Sequence, residues 1–271
     1  MESKILKHHN DIEVCNVTHS FSLNGESVEV LREINVGFKK DSITSIIGAN
    51  GIGKTTLLNI IAGFIEPDTG DVLIRGISPK EACRQKKIGF VSHDHGLLPW
   101  MNVIDNVLLS LTINSKSNMH NADEDESKVL QALERVGLID WRNYFPHQLS
   151  KGLCQRVSLA RALVLDDVIL ILDEPMANLD ELTREKLRYD LLEIFSLSPR
   201  TVIWVTHNIV ESIQLSNSVI VLSKNPAEIV KSFEINSSYI NNLKKGRLPI
   251  SVEFNNIVNN IRKLLDNEKK S

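Results

Sequence analysis

Apolar positions along this chain fall into two spacings, and the switch between them predicts an α/β protein. Short β-branched runs come first, Ile12-Glu13-Val14-Cys15-Asn16-Val17 and Val28-Glu29-Val30-Leu31, around a turn-rich segment, Ser22-Leu23-Asn24-Gly25-Glu26. They predict an antiparallel lobe. Ser42-Ile43-Thr44-Ser45-Ile46-Ile47 reads as a buried strand, and Leu57-Leu58-Asn59-Ile60-Ile61-Ala62 as a helix stopped by Gly63. Further strand-like runs cover residues 71–75, 88–91, 168–172, 201–206 and 219–222, the last being the expected final core strand. Val168-Ile169-Leu170-Ile171-Leu172 is apolar throughout, which suits a parallel strand covered on both faces. Between the runs at 88–91 and 168–172 the spacing turns helical. Helices are predicted over 103–111, from Val129 to about Gly137, and from Ser150, a plausible N-cap, to about Leu165. The polar stretch 114–128, with Asp123-Glu124-Asp125-Glu126, reads as a solvated loop. A helical subdomain of about residues 93–165 thus interrupts the strand pattern. In the tail, Phe254, Ile257, Val258, Ile261, Leu264 and Leu265 share one helical face, for docking on the core or on another chain.

Composition narrows the function classes. The 271 residues are 42% apolar and 24% charged with a net charge of −3, so no global basic field points to nucleic acid. Cys15, Cys83 and Cys154 lie far apart without metal-ligand spacing and read as reduced thiols of a cytosolic protein. No apolar run approaches the roughly 20 residues of a membrane span. Met1 to Asn10 lacks the apolar core of a signal peptide. Any service to a membrane is expected from the cytoplasmic face, through a partner.

The chemistry centres on Gly48-Ala49-Asn50-Gly51-Ile52-Gly53-Lys54-Thr55-Thr56, which fits G-x-x-x-x-G-K-[ST] between a strand and a helix. Glycines let backbone N–H groups wrap phosphate oxygens, and the helix N-terminus adds partial positive charge. Lys54 is expected on the β- and γ-phosphates and the Thr55 hydroxyl on Mg²⁺. Asp173-Glu174 follow the all-apolar strand, where open α/β sheets bind ligands. Asp173 suits the Mg²⁺ shell, and Glu174 can orient or deprotonate a water. His207 follows the strand at 201–206 and is placed to touch a γ-phosphate or that water. Phe21 suits stacking on a purine or ordinary β-core. His93 and His95, two apart in an exposed loop ending in Pro99-Trp100, make a weak metal pair; His8 and His9 read as a solvated tail.

In order and spacing these segments resemble the ATP-binding cassette (ABC) transporter ATPases over about residues 11–235, leaving 236–271 as a tail with an amphipathic helix. The resemblance implies a P-loop NTPase (RecA-like) core with an antiparallel β lobe and an inserted helical subdomain. By similarity Phe21 is the adenine-stacking aromatic and Gly48 to Thr56 the Walker A loop. Leu149-Ser150-Lys151-Gly152-Leu153 takes the signature position, with Ser150 and Gly152 on nucleotide. Asp173-Glu174 is the Walker B pair, Ala177-Asn178-Leu179-Asp180 the aspartate-bearing loop and His207 the switch histidine. Such ATPases act as homo- or heterodimers, each of two ATP molecules held by one subunit's Walker loop and the other's signature. They power a membrane permease.

Two departures stand out: His93 where the family usually has Gln, and Lys151 where the signature usually has Gly. Lys151 either strains the backbone, if that position needs φ > 0, or favours the partner's ATP. His93 can still donate a hydrogen bond or contact a water. Leu97-Leu98-Pro99-Trp100-Met101 with Val107, and Ser223-Lys224-Asn225-Pro226, are similar to the subgroup importing nitrate, sulfonates, taurine and related solutes. The expectation is an importer ATPase working with a permease and an extracytoplasmic binding protein. An exporter ATPase and a soluble cassette protein are the alternatives.

Overall fold

The computed structural model describes residues 10–23, 25–113, 122–177, 179–223, 225–236 and 252–266. His8, His9, Asn24, Asn178 and Lys224 lie outside these, as do most of the polar stretch before Ala122 and residues 237–251 of the tail.

Two sheets build the core. Strands β1 (Asn10–Leu23), β2 (Glu26–Lys39) and β4 (Thr69–Ile74) form an antiparallel sheet in the order β2-β1-β4. The runs read at 12–17 and 28–31 are therefore the middles of two 14-residue strands. Their alternation is broken by register shifts between Val14 and Ser20, and bulges of that kind hide a strand's length from a period-two search. The second sheet runs β5 (Ile88–Val91), β6 (Ile169–Asp173), β7 (Val202–Val205), β3 (Ile43–Ile47), β8 (Ser218–Ser223), β9 (Glu228–Glu234). It is parallel from β5 to β8; β9 adds antiparallel to β8. The expected last core strand is thus followed by an edge strand. β9 carries Glu228, Lys231 and Glu234, the charged, half-exposed character of an edge.

The apolar run of β6 does face two cores. Leu170 and Leu172 join Val202 and Trp204 on the side covered by the helical region. Ile169 and Ile171 join Ile203 and Val205 on the side covered by helix α1 (Lys54–Ile61) and the antiparallel sheet. Helices α3 (Val103–Thr112), α4 (Ala122–Arg135) and α5 (Lys151–Leu163) lie between β5 and β6 in sequence; α2 (Pro79–Arg84) precedes β5. The loop expected over 114–128 is corrected in its second half: α4 begins at Ala122. Asp123, Glu124 and Asp125 occupy its first turn, where carboxylates complement the partial positive charge of a helix N-terminus.

Helices α6 (Glu181–Leu197) and α7 (Ile209–Leu215) complete the core. The tail helix α8 (Val252–Asp266) docks on its own chain, seating Phe254, Val258 and Ile261 against Ile213, Val219 and Val221.

Candidate active site

The loop between β3 and α1 is shaped by glycines with left-handed backbone, Gly51 at φ 78° and Gly53 at φ 110°. Gly53 is also confined: a Cβ there would lie 3.0 Å from Val30 Cγ1 and from Leu31 Cδ2. A Cβ on Gly48 would meet the Leu222 carbonyl at 2.8 Å. The loop curls over Lys54, whose ammonium donates to the carbonyls of Gly48 (3.1 Å) and Ala49 (3.0 Å).

Parallel pairing brings the other half of the site alongside. Asp173, the last residue of β6, pairs with Val205 of β7, and the Glu174 N–H donates to the Val205 carbonyl at 3.0 Å. The Thr55 hydroxyl donates to Asp173 Oδ2 at 2.9 Å. Glu174 points its two oxygens at different groups, Oε1 at 3.8 Å from Lys54 Nζ and Oε2 at 3.3 Å from His207 Nδ1. Glu174 sits at φ 47°, a left-handed value costly for a non-glycine residue and of a kind that collects at functional sites. The resulting cleft, about 440 Å³, is lined by Phe21, Val30, Asn50, Gly51, Gly53, Lys54, Thr55, Thr56, His93, Asp173 and Glu174.

Burial dominates the electrostatics of the cleft. Burial pulls the Lys54 amine below its usual range, against the opposing attraction of Glu174 and Asp173. Burial likewise pushes the Asp173 carboxyl up; the Thr55 hydroxyl opposes this and the Glu174 charge reinforces it. Folding therefore favours protonated Asp173. The stability this contributes is present below the unfolded carboxyl's pKa and lost as pH rises through the higher folded value. The hydroxyl of the exposed Thr55 and the carboxylate of the buried Asp173, 2.9 Å apart, are an oxygen pair suited to a hard cation such as Mg²⁺, which would relieve the Asp173 charge. Asp173→Asn should accordingly melt higher than the parent without ligand at a pH where Asp173 is ionised. It should also gain little from Mg²⁺ and nucleotide; a thermal melt with and without them checks both.

The remaining residues sit at the margins. Phe21 is 38% exposed at the cleft mouth, with the His19 ring edge-on at 4.8 Å. His93 keeps half its side chain in solvent and places Nε2 3.2 Å from Asp94 Oδ2. His207, on the far side of Glu174, shares a small hollow with Met176, Arg184 and Asn208. Ser150 and Gly152 do not line the Lys54 cleft; they line a separate hollow with Arg156, Thr183 and Lys186. Ser150 caps α5, its hydroxyl accepting from Leu153 N–H at 3.3 Å. α5 begins at Lys151, so that residue has helical backbone and no left-handed strain arises. The glycine that packing demands is Gly152, where a Cβ would lie 2.8 Å from Thr183 Cγ2.

Sequence reasoning missed Val30, which alternation on β2 could have turned toward Phe21. It also missed Arg184, whose guanidinium holds the carbonyls of Met176 (3.4 Å) and Leu179 (3.0 Å) around the turn before α6.

Comparison with known proteins agrees with this architecture. The family model described as ABC transporter matches residues 31–177. The aliphatic sulfonates import ATP-binding protein of Bacillus thuringiensis subsp. konkukian is 37% identical over 231 residues, 85% of this chain and 88% of that protein. The taurine import ATP-binding protein of Pseudomonas aeruginosa is 36% identical over 219 residues, 81% of each chain. Among solved structures, a bacterial ABC transporter cassette in dimeric form is 31% identical with a TM-score of 0.73, covering 83% of this chain and 99% of its own. A dimeric post-hydrolysis state of that cassette, bound to ADP and Pi, superimposes with the same TM-score at 29% identity and the same coverage. Likeness of this extent, on a chain whose phosphate loop and acidic strand end meet in one cleft, settles the matter: the chain belongs to the ABC transporter family, as one of its ATP-binding ATPase cassettes.

Proposed function

We propose that this cassette hydrolyses ATP to power import of a small sulfonate- or taurine-like anion. It works at the cytoplasmic face of a membrane with a permease and an extracytoplasmic solute-binding protein. One observation carries the ATPase half of this reading: Glu174 stands between Lys54 and His207, one carboxylate oxygen toward each. The importer half is supported by the sulfonate and taurine importer subunits to which the chain is similar. Among the described residues no helix is long and apolar enough to cross a membrane, which fits a partner doing so.

Each residue then has a task. The N–H groups of Asn50 to Thr56 and the Lys54 ammonium bind the phosphates. Thr55 and Asp173 would hold Mg²⁺, which would supply charge neutralisation for the phosphates. Glu174 takes a proton from the attacking water as the water oxygen bonds to the γ-phosphorus and the bond from that phosphorus to the β–γ bridging oxygen breaks; ADP leaves with the electron pair, and the water's oxygen stays on the inorganic phosphate. His207 orients the water and the γ-phosphate from the exposed side, and His93 contributes a hydrogen bond or water contact from the rim. Ser150 and Gly152 lie outside their own chain's cleft, so their task is on the nucleotide of a second copy, closing two ATP between the subunits.

Phe21 stacks on the base, and Val30 also lines the cleft. Base–aromatic stacking is worth ~1–3 kcal/mol. Phe21→Ala should therefore weaken ATP binding at least about fivefold, measurable by calorimetry on the isolated chain.

The transport reading is tested by rebuilding the permease with this cassette in vesicles. Turnover should rise when a sulfonate and the binding protein are inside the vesicle lumen. Stimulation by no sulfonate, with stimulation by an exported amphiphile instead, would overturn it.

A further inference from the structure

A buried acid follows His207. Glu211 lies in the first turn of α7, three residues after the N-cap Asn208, and is only 4% exposed. The partial positive charge of a helix N-terminus favours an acid there, and such an acid commonly reaches back to the N–H of the capping residue. Here the Asn208 N–H donates to Thr206 Oγ1 at 3.1 Å instead. Glu211 Oε1 turns to the far end of the loop and accepts from the indole N–H of the buried Trp204 at 2.9 Å. This bond from α7 to β7 spans the three residues, Thr206 to Asn208, that carry His207.

One bond does not satisfy the carboxylate. An ionised carboxyl accepts at two oxygens, and a buried charge is costly unless it is paired or fully hydrogen-bonded. Among the described residues no cation pairs with Glu211 and nothing donates to its second oxygen. The nearby Arg184 guanidinium is taken by the carbonyls of Met176 and Leu179 and by Glu181. Glu211 does line a hollow of about 20 Å³, together with Glu174, Thr206 and His207. A cavity needs roughly 10–15 Å³ to take a water molecule, and the water needs two to four polar partners. This hollow has room for one and the partners to hold it. Lys54 lines the cleft but not the hollow, so the site is apart from that of the attacking water.

We propose that Glu211 holds one water in this hollow and that the same water hydrogen-bonds Glu174, making Glu211 a positioning residue for ATP cleavage. The water donates one hydrogen to each carboxylate. It steadies Glu174 on the His207 side, where the direct contact from Oε2 to Nδ1 is long at 3.3 Å. Glu211 itself touches no nucleotide. The proposal rests on the hydrolysis reading put forward above.

Glu211→Gln separates this task from a purely structural one. The Trp204 indole only donates, so the Gln oxygen stays with it and the bond across the loop survives. The NH2 group is then what meets the hollow, a neutral donor where a charged acceptor held the water. Charge-assisted bonds are roughly twice as strong as neutral ones. Turnover of the full chain should fall about fivefold, the scale of one hydrogen bond. ATP affinity by calorimetry should stay within about twofold, and the melting temperature close to the parent's. A high-resolution crystal structure of the parent should show one water in the hollow, bonded to both Glu211 and Glu174. Parent-like turnover in Glu211→Gln is what a structural contact alone predicts and would overturn the proposal. So would turnover and affinity falling together, a dry hollow, or a water that does not bond both acids. If the variant does not fold, the parent's crystal structure still decides. A parent with no turnover above its Glu174→Gln control would overturn the hydrolysis reading and the positioning role with it, while the water site is judged from the crystal alone.

Discussion

Glu174→Gln should lower ATP turnover by roughly 10²–10⁴-fold while leaving ATP binding close to that of the parent. Gln has the same shape, so the N–H bond from residue 174 to the Val205 carbonyl and the left-handed backbone can both persist. What disappears is a basic oxygen. The carboxylate is poised between Lys54 at 3.8 Å and His207 at 3.3 Å, and an amide cannot accept the water's proton. Binding survives because the phosphate loop, Lys54 and the Thr55–Asp173 pair are untouched. Single-turnover and steady-state assays with the same preparation separate the two effects. A variant that loses binding and turnover together would show that residue 174 holds the site's shape and does no proton chemistry.

The second large effect falls on binding. Lys54→Met should weaken ATP affinity by about 30-fold or more, because removing one partner of a buried charge pair costs ~2–5 kcal/mol. The folded chain itself should not suffer. Lys54 is 5% exposed, and burial already drives its amine toward the neutral form. Met therefore removes a desolvation cost that the ligand-free protein bears. It also leaves the exposed Ala49 carbonyl to water and the buried Gly48 carbonyl without its donor, a loss that offsets this gain. Equal melting temperatures without ligand, together with the loss of an ATP-induced rise, are the expected pair of results in a thermal melt.

Much of this was legible in the chain itself, for a physical reason. The phosphate loop is a local structure whose glycines, lysine and threonine are contiguous. The all-apolar strand β6 announces its two-sided burial in five residues. Asp173 and Glu174 follow it directly, and β6 and β7 pair in register, so the tips bearing Glu174 and His207 meet.

Other parts were not legible. β9 is an edge strand with charges in it, and edge strands lack the alternation that burial enforces. The full length of β1 and β2 is masked by bulges. The start of α4 is acidic and reads as loop unless the helix dipole is considered. Leu187, Leu191 and Ile194, spaced for one helix face, were the available signal for α6. In the site, contacts between distant residues were invisible. The His95 ring hydrogen-bonds Gln155, 60 positions away, and nothing in either segment names the other. Lys151 left two readings open until α5 was seen to start on it, which removes the one based on strain.

The central claim is that a nucleoside triphosphate lies between the phosphate loop and the acids ending β6. The most direct measurement is a crystal structure of Glu174→Gln grown with ATP and Mg²⁺. The γ-phosphate should lie within hydrogen-bonding reach of Lys54 Nζ, with the metal on Thr55 and Asp173 and the base against Phe21. Nucleotide bound elsewhere, or a metal held without Thr55 and Asp173, would contradict the account.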